Sequence, residues 1–184
     1  MDALVVYESM YGNTHEVAEA IGRGLATECG VRVVPVSAAT PASVERVDLL
    51  VVGGPTHVHG MSWASTRRSA IDDVHNADRH LDVDRDAAGD GLREWFDEFA
   101  GLDLWATAFD TRLNRSANLT GRASKGIAKH LRRLGCRAIA EPVSFVVDPE
   151  TRLVAGELER AERWGQELGA ILAAPRSDAS LPSH

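Results

Sequence analysis

Hydrophobic residues occur in two kinds of run along the chain, and their alternation predicts the order of the elements. Short, largely apolar runs typical of strands occur at residues 3–7, 31–36, 48–53, 104–109 and 138–147. Between them, apolar positions recur at helical spacing, which predicts helices over residues 13–28, 92–99, 122–134 and 157–172. Strands that alternate with helices are typical of a parallel sheet. We therefore predict a doubly wound α/β fold in which a five-stranded parallel sheet carries helices on both faces.

Two segments do not fit this alternation. Residues 75–91 are polar and rich in aspartate, which predicts a surface excursion rather than a second domain. Residues 174–184 are small and polar, which predicts a disordered tail. The length of 184 residues suits one domain, which we place at residues 1–173.

The composition limits the classes of partner. The chain has 20 Lys and Arg against 27 Asp and Glu, a formal net charge of −7, which disfavours nucleic acid or an anionic membrane as the main partner. Its apolar runs are too short to span a bilayer, and an acid stands where a secretory signal needs basic residues, so we expect a cytoplasmic protein. Cys29 and Cys136 lie in no Cys-x-x-Cys pattern, so neither a disulfide nor a zinc site is expected.

The turn between the first strand and the first helix carries the clearest chemistry. Ser9, Gly12, Asn13 and Thr14 combine hydroxyl groups and a flexible backbone with the unpaired N–H groups of a helix start, which together can surround a phosphate. The chain has neither the Gly-Lys-Ser/Thr of a nucleoside triphosphate loop nor a Gly-x-Gly-x-x-Gly turn, and the loop contains no cysteine nucleophile. An ordinary capped helix start would give a similar pattern and remains an alternative.

Three loops together resemble those of a known family. Residues 9–14, Ser-Met-Tyr-Gly-Asn-Thr, resemble the FMN-phosphate loop of the flavodoxins, whose pattern is Ser/Thr-x-x-Gly-Asn-Thr. Residues 53–57, Gly-Gly-Pro-Thr-His, look like the second flavin loop of that family, and residues 108–112, Ala-Phe-Asp-Thr-Arg, stand where its third loop belongs. The resemblance covers about residues 1–172 and implies the strand order 2-1-3-4-5, with the ligand at the switch point of the sheet.

The resemblance implies a role for each loop in holding FMN. Its phosphate would be held by the side chains and backbone of the first loop, namely Ser9, Met10, Tyr11, Gly12, Asn13 and Thr14. One face or edge of the flavin ring would meet the second loop at Pro55, Thr56, His57, Gly60 and Met61. The other would meet the third loop at Phe109, Asp110, Thr111 and Arg112.

Several of these positions have a second interpretation. Trp63 and Phe109 lie near the places of the aromatic pair that flanks the ring in this family, but Phe109 can equally be a core residue, and packing against the next helix is the favoured interpretation of Trp63. His57 and His59 can be read as a metal pair, although no third ligand stands nearby in the sequence.

The resemblance leaves the activity open between related functions. We expect an electron-transfer flavodoxin that exchanges electrons with a redox partner protein; the alternative is an FMN-dependent NAD(P)H:quinone oxidoreductase of the same fold, and a third is a module that has lost the flavin. Charge is uneven: residues 72–103 contain 11 acids and three arginines, whereas residues 112–137 contain eight basic residues and no acid. Either segment can be a solvated surface or a docking surface for a partner or a nucleotide phosphate.

Overall fold

The computed structural model of the protein describes residues 1–56, 60–62, 91–115 and 121–174. The predictions for His57, His59 and Trp63, for residues 75–90 and for the tail beyond residue 174 lie outside these ranges. The described elements follow in chain order: β1 (Asp2–Tyr7), α1 (Asn13–Leu25), β2 (Gly30–Pro35), α2 (Pro41–Val44), β3 (Leu49–Pro55), α3 (Leu92–Phe96), β4 (Trp105–Leu113), α4 (Ala123–Arg133), β5 (Arg137–Ala138), β6 (Val143–Val147) and α5 (Glu157–Ala173).

The strands form one parallel sheet with the order β2-β1-β3-β4-β5, so the predicted order is confirmed. In its centre, Val5 of β1 lies between Val33 of β2 and Val51 of β3. The parallel direction places the ends of β1, β3 and β4, and the three loops that follow them, at one edge of the sheet. This edge is the site that an open α/β sheet offers to a ligand.

The prediction of one unbroken fifth strand is wrong. Two short strands occupy that position, since β5 pairs with the start of β4 and β6 pairs with its end. Between them Pro142 has no N–H to donate to a ladder, and the hydroxyl of Thr107 donates to the carbonyl oxygen of Ala140 at 3.1 Å. A side chain thus takes up a backbone acceptor where the strand is interrupted.

Helices α1 and α3 are both shorter than their patterns predict. Helix α1 ends at Leu25 and α3 at Phe96, three residues before the predicted ends. In each case the next residues form tight turns with bonds between residues three apart, from Glu28 N–H to Leu25 O at 3.0 Å and from Phe99 N–H to Phe96 O at 3.4 Å. The apolar spacing therefore continues past the end of the α-helix itself.

The sheet separates two apolar cores. One core, which includes Val5 and Val51, lies under α1 and α5. The other, which includes Leu4 and Val52, lies under α3 and α4. Because both faces are covered, neighbouring positions of β1 and β3 are buried alike, which explains their continuous apolar runs. Within the described residues, no helix is long and apolar enough to cross a membrane.

Helices α1 and α5 cross at glycines. A Cβ added at Gly165 of α5 would overlap the carbonyl oxygen of Ile21, and one added at Gly24 of α1 would overlap the carbonyl oxygen of Glu162. Neither glycine has a positive φ, so the backbone approach and not a turn requires the missing side chain. The two helices therefore pack backbone against backbone.

Both cysteines are free thiols, and burial raises the pKa of Cys136 to about 11. An unfolded thiol ionises near pH 8.5, so above that pH the unfolded state binds fewer protons than the folded state. We predict that the free energy of unfolding falls as the pH rises from about 8.5 towards 11. Urea titrations of the wild type and of Cys136→Ala across this range measure the effect; an equally steep fall in the variant would show that Cys136 does not cause it.

Candidate functional site

The loop after β1 has the geometry of an anion cradle. Gly12 has a φ of +84°, in the left-handed region that favours glycine, and its N–H donates to the Oγ of Ser9 at 3.1 Å. Helix α1 begins at the next residue, Asn13, and no side chain caps it. Its first-turn N–H groups therefore keep their capacity to bind a ligand at the loop.

Buried hydroxyl groups line this loop. Ser9 and Thr14 are each 2% exposed, and the Oγ1 of Thr14 lies 2.8 Å from the Oγ1 of Thr111, at the end of β4. Because Ser9 accepts the bond from Gly12, its own hydroxyl proton remains to be donated. The hydroxyl of Thr111 can likewise donate to Thr14 and leave the proton of Thr14 for a ligand.

The other predicted residues of the loop differ from Ser9 and Thr14 in their contacts and burial. The side-chain amide of Asn13 donates to the carbonyl oxygen of Thr151 at 2.9 Å, which ties the loop to the turn after β6. Met10 is buried and Tyr11 is half-buried. The hydroxyls of Ser9 and Thr14, at the two ends of the loop, are available to an anion.

These donors fit a phosphate group. The loop offers hydroxyl and backbone N–H donors, and the carboxylate that precedes it, Glu8, is bonded elsewhere. The positive end of α1 adds a favourable field for an anion. The positive φ of Gly12 decides that the loop fits a phosphate, because it directs the chain straight into the start of α1, where no side chain caps the helix.

The second loop leaves the sheet at Pro55 and is held by Thr56. The N–H of Thr56 donates to the carbonyl oxygen of Thr111 at 2.8 Å, and its Oγ1 accepts a bond from the N–H of Ala123 at 3.0 Å. Further along, Gly60 is partly exposed, whereas Met61 is buried in the core under α4. Thr56 thus joins the second loop both to the third loop and to the start of α4.

The predicted third loop lies within a strand, because β4 continues to Leu113 instead of ending at Phe109, and its side chains are already engaged. Phe109 is fully buried against Gly53 and Phe145, the core position that the sequence left open as its alternative. Asp110 is also fully buried, and its Oδ2 accepts a bond from the N–H of Ser124 at 2.7 Å, at the start of α4. Arg112 donates to carbonyl oxygens of its own loop. These side chains set the shape of the third loop rather than its exposed surface.

The family follows from a comparison of the sequence. The family model described as flavodoxin matches residues 5–98, just over half of the chain. The chain belongs to the flavodoxin family. Its match includes the first two loops of the site, at residues 9–14 and 53–57.

Solved flavodoxin structures have the same fold. A flavodoxin from the domain Archaea is 19% identical, with a TM-score of 0.62, over 95% of this chain and all of that one. Flavodoxin 1 from Bacillus cereus is 18% identical, with a TM-score of 0.63, over 91% of this chain and 97% of that one. A WrbA-like flavodoxin from Agrobacterium tumefaciens is 18% identical, with a TM-score of 0.51, over 93% and 96% of the two chains. No curated protein sequence matches the chain significantly.

This flavodoxin-family site also contains a buried carboxylate that sequence reasoning missed. Glu8, 5% exposed, accepts a bond from the N–H of Leu92 at 2.9 Å and one from the hydroxyl of Ser62. Arg93 donates to the carbonyl oxygens of Met61 and Ser62, at 3.3 and 3.0 Å. Through its bond with Ser62, Glu8 connects the end of β1 to residues 60–62, which follow the second loop. An acid placed directly between a buried strand and the phosphate-type loop was the available signal.

Metal-ligating side chains do not cluster in the part of the chain that the structure describes. Within those residues, no group of three or more His, Cys, Asp or Glu side chains lies close enough together to hold a metal ion. Of the buried carboxylates of the site, Glu8 bonds Ser62 and Leu92, whereas Asp110 bonds Ser124 through Oδ2 and its buried Oδ1 has no hydrogen-bond partner among the described residues. The carboxylates of this edge therefore act as connections between loops.

Proposed function

We propose that the protein is an electron-transfer flavodoxin, that residues 1–173 bind one FMN non-covalently, and that it works in the cytoplasm with a redox partner protein. The observation that carries the proposal is the geometry of residues 9–14. The positive φ of Gly12 leads the chain directly into α1, so the hydroxyl groups of the loop lie beside the unpaired N–H groups of the helix start. Such a cradle suits a monophosphate, and the flavodoxin fold places it at the ligand-binding edge of the sheet.

The residues of the three loops divide the work of binding. The hydroxyls of Ser9 and Thr14 and the first-turn N–H groups of α1 would hold the phosphate. Thr56 and Glu8 would keep the second loop in place, through their bonds to Ala123 and to Ser62. FMN, when bound, supplies reversible electron transfer; the protein supplies orientation, exclusion of water and the electrostatic surroundings.

Cofactor titration tests the binding part of this proposal. The purified protein is titrated with FMN, FAD and riboflavin, and flavin fluorescence or absorbance is followed. We expect tight binding of FMN and clearly weaker binding of FAD and riboflavin, because only FMN presents the phosphate monoester. Failure to bind any flavin would contradict the proposed function and favour a module that has lost the cofactor.

Turnover separates an electron carrier from an oxidoreductase. The FMN-loaded protein is mixed anaerobically with NADPH and a quinone, in the absence of any reductase. A carrier is expected to oxidise NADPH only slowly, and to be reduced when a suitable reductase is added. Fast NADPH oxidation without a reductase would contradict the carrier and support the NAD(P)H:quinone oxidoreductase.

Gly60 provides a prediction about the separation of the two electron steps. An electron carrier needs a clear difference between the reduction potentials of its two one-electron steps. A glycine beside the flavin can contribute to this difference, because it reaches positive φ without steric cost and so lets a loop peptide rotate towards the flavin. In the structure Gly60 does not have a left-handed φ, and a Cβ there meets no atom of the described residues within 4 Å, so Gly60→Ala suits this conformation but not a rotated one. We predict that Gly60→Ala leaves folding intact and brings the two potentials closer by about 1–2 kcal/mol.

Potentiometric titration of the FMN-loaded wild type and Gly60→Ala measures this separation. Gly126→Ala, a substitution in α4 with ordinary contacts to Met61, is the control and should leave both potentials unchanged. A wild type that takes up both electrons at a single potential would contradict the carrier proposal.

A further inference from the structure

One face of α4 carries a stripe of positive charge. The exposed cations Arg122, Lys125, Lys129, Arg132 and Arg133, here called the basic stripe, lie on the side opposite the buried residues of the helix. At about 100° per residue, the four cations within the helix, spaced four, three and one apart, lie within an arc of about 100°, and Arg122 precedes them as the extended N-cap residue. The charges therefore form one continuous surface along the helix.

No acidic group neutralises this surface in the part of the chain that the structure describes. None of the five cations makes an ion pair there, whereas Arg23 pairs with Glu162 at 3.4 Å and Arg137 with Asp103 at 3.3 Å. Lys125, Lys129 and Arg133 stand four residues apart, a spacing at which like charges destabilise a helix. Arg132 and Arg133 lie in the last turn, where the helix dipole favours cations, but the repeated repulsion along the stripe, in a protein with a net charge of −7, calls for a reason other than solubility.

The basic stripe begins at the candidate flavin site. The start of α4 is held by Asp110, which bonds the N–H of Ser124 at 2.7 Å, and by Thr56, which bonds the N–H of Ala123 at 3.0 Å. Asp110 pairs with Gly54 near the end of β3, and Thr56 directly follows that strand, at the edge of the sheet where the three loops meet. The stripe extends from this edge for about 16 Å, at 1.5 Å per residue. A protein docked on it would reach the loops of the site.

We propose that the basic stripe docks the acidic face of the redox partner protein. The inference rests on the proposed function and adds the chemistry of the partner: a protein that exposes clustered Asp and Glu next to its redox centre. Electrostatic attraction between the two faces would speed their encounter and orient the centres for the passage of one electron. Nucleic acid is the less favoured occupant because the rest of the chain is strongly acidic.

Electron transfer to two probe proteins of opposite charge tests the proposal. The FMN-loaded protein is reduced and mixed in a stopped-flow instrument with oxidised rubredoxin, a small acidic iron protein, or with basic cytochrome c; one electron passes from the flavin to the ferric iron. The variant Lys125→Gln/Lys129→Gln/Arg133→Gln is compared with Arg32→Gln/Arg46→Gln/Arg163→Gln, which removes the same charge from exposed positions elsewhere.

With rubredoxin at low salt, we expect the stripe variant to react roughly tenfold more slowly than the wild type, and the control variant to change less than twofold. The wild-type rate should fall as salt is added, because screening weakens attraction between exposed charges. With cytochrome c, loss of the stripe should not slow the reaction. Equal rates for the two variants with rubredoxin, or a wild-type rate that rises with salt, would overturn the proposal.

Calorimetric binding of oxidised rubredoxin to the flavin-free protein gives a readout that does not depend on FMN. Weaker binding by the stripe variant than by the control would support the docking surface even if FMN failed to bind, a result that would contradict the proposed function alone. The same titration with a DNA duplex compares the affinity for nucleic acid with the affinity for rubredoxin. Stripe-dependent binding of DNA that is tighter than that of rubredoxin would overturn the assignment to an acidic protein.

Discussion

Gly165→Ala is expected to lower the free energy of unfolding by about 3 kcal/mol, at the upper end of the usual effect of an inserted methyl group. The added Cβ would overlap the carbonyl oxygen of Ile21, which belongs to the backbone of α1 and cannot rotate away as a side chain does. Helices α1 and α5 would have to separate, and the apolar contacts beneath them, including those of Leu25 and Leu168, would loosen. Urea unfolding followed by circular dichroism measures the change.

Gly126→Ala is the matched control, because it makes the same chemical change in another helix. At Gly126 of α4 the nearest atoms to an added Cβ are side-chain atoms of Met61, at 3.7 and 3.8 Å. This is ordinary contact, and alanine is the better helix former, so Gly126→Ala should stabilise the protein by about 0.5–1 kcal/mol. Opposite signs for the two substitutions would support the close crossing of α1 and α5; a loss for Gly165→Ala no greater than for a surface change would contradict it.

The central strands could be predicted because both faces of the sheet are covered. Every position of β3 from Leu49 to Gly54 is buried, so the strand appears in the sequence as an unbroken apolar run. The fifth strand could not be predicted in the same way. The run at residues 138–147 contains Pro142, and its interruption also depends on Thr107, a residue of a different strand. Apolar composition does not report a bond between side chain and backbone made more than 30 residues away.

The phosphate-type loop is predictable because its residues are consecutive and each has a local reason for its place. Gly12 supplies the positive φ, and the hydroxyls of Ser9 and Thr14 supply donors. The bonds that connect the loops, in contrast, could not be predicted from the sequence. Thr14 meets Thr111 across 97 residues, and Glu8 meets Ser62 across 54. Such pairs arise only when parallel strands bring their ends to one edge, so they follow from the folded sheet and not from any local pattern.

Strand periodicity gives the residues of the predicted third loop different surroundings, as Phe109 shows. Successive residues of a strand point to opposite faces, so Phe109 and Thr111 face α1 and α5, while Asp110 faces α4. The sequence resemblance groups all three with the flavin ring. In the structure, Phe109 packs in the core, Asp110 holds the start of α4 and Thr111 reaches the phosphate-type loop. The backbone of these three residues pairs with β3 on one side and with β6 on the other, so it is engaged as their side chains are.

The contact between Thr14 and Thr111 leads to the second large effect, which concerns the phosphate of FMN. Thr14→Val keeps the shape of the side chain and removes the hydroxyl from a position that is 2% exposed. A hydrogen bond from this hydroxyl to a charged phosphate would be largely shielded from water, so its loss should weaken FMN binding by about 1–3 kcal/mol. Riboflavin lacks the phosphate, and its affinity should change little.

Fluorescence titrations with both flavins, carried out on the wild type and four variants, decide whether the hydroxyl acts on the phosphate. Thr14→Ser retains the hydroxyl and should restore most of the FMN affinity. Thr111→Val removes the partner that can direct the proton of Thr14, at 2.8 Å, so it should weaken FMN less than Thr14→Val does. The double variant should lose less than the sum of the two single losses, because the hydroxyls act on one group. Equal losses for FMN and riboflavin in Thr14→Val would show that Thr14 stabilises the fold of the loop and does not bind the phosphate.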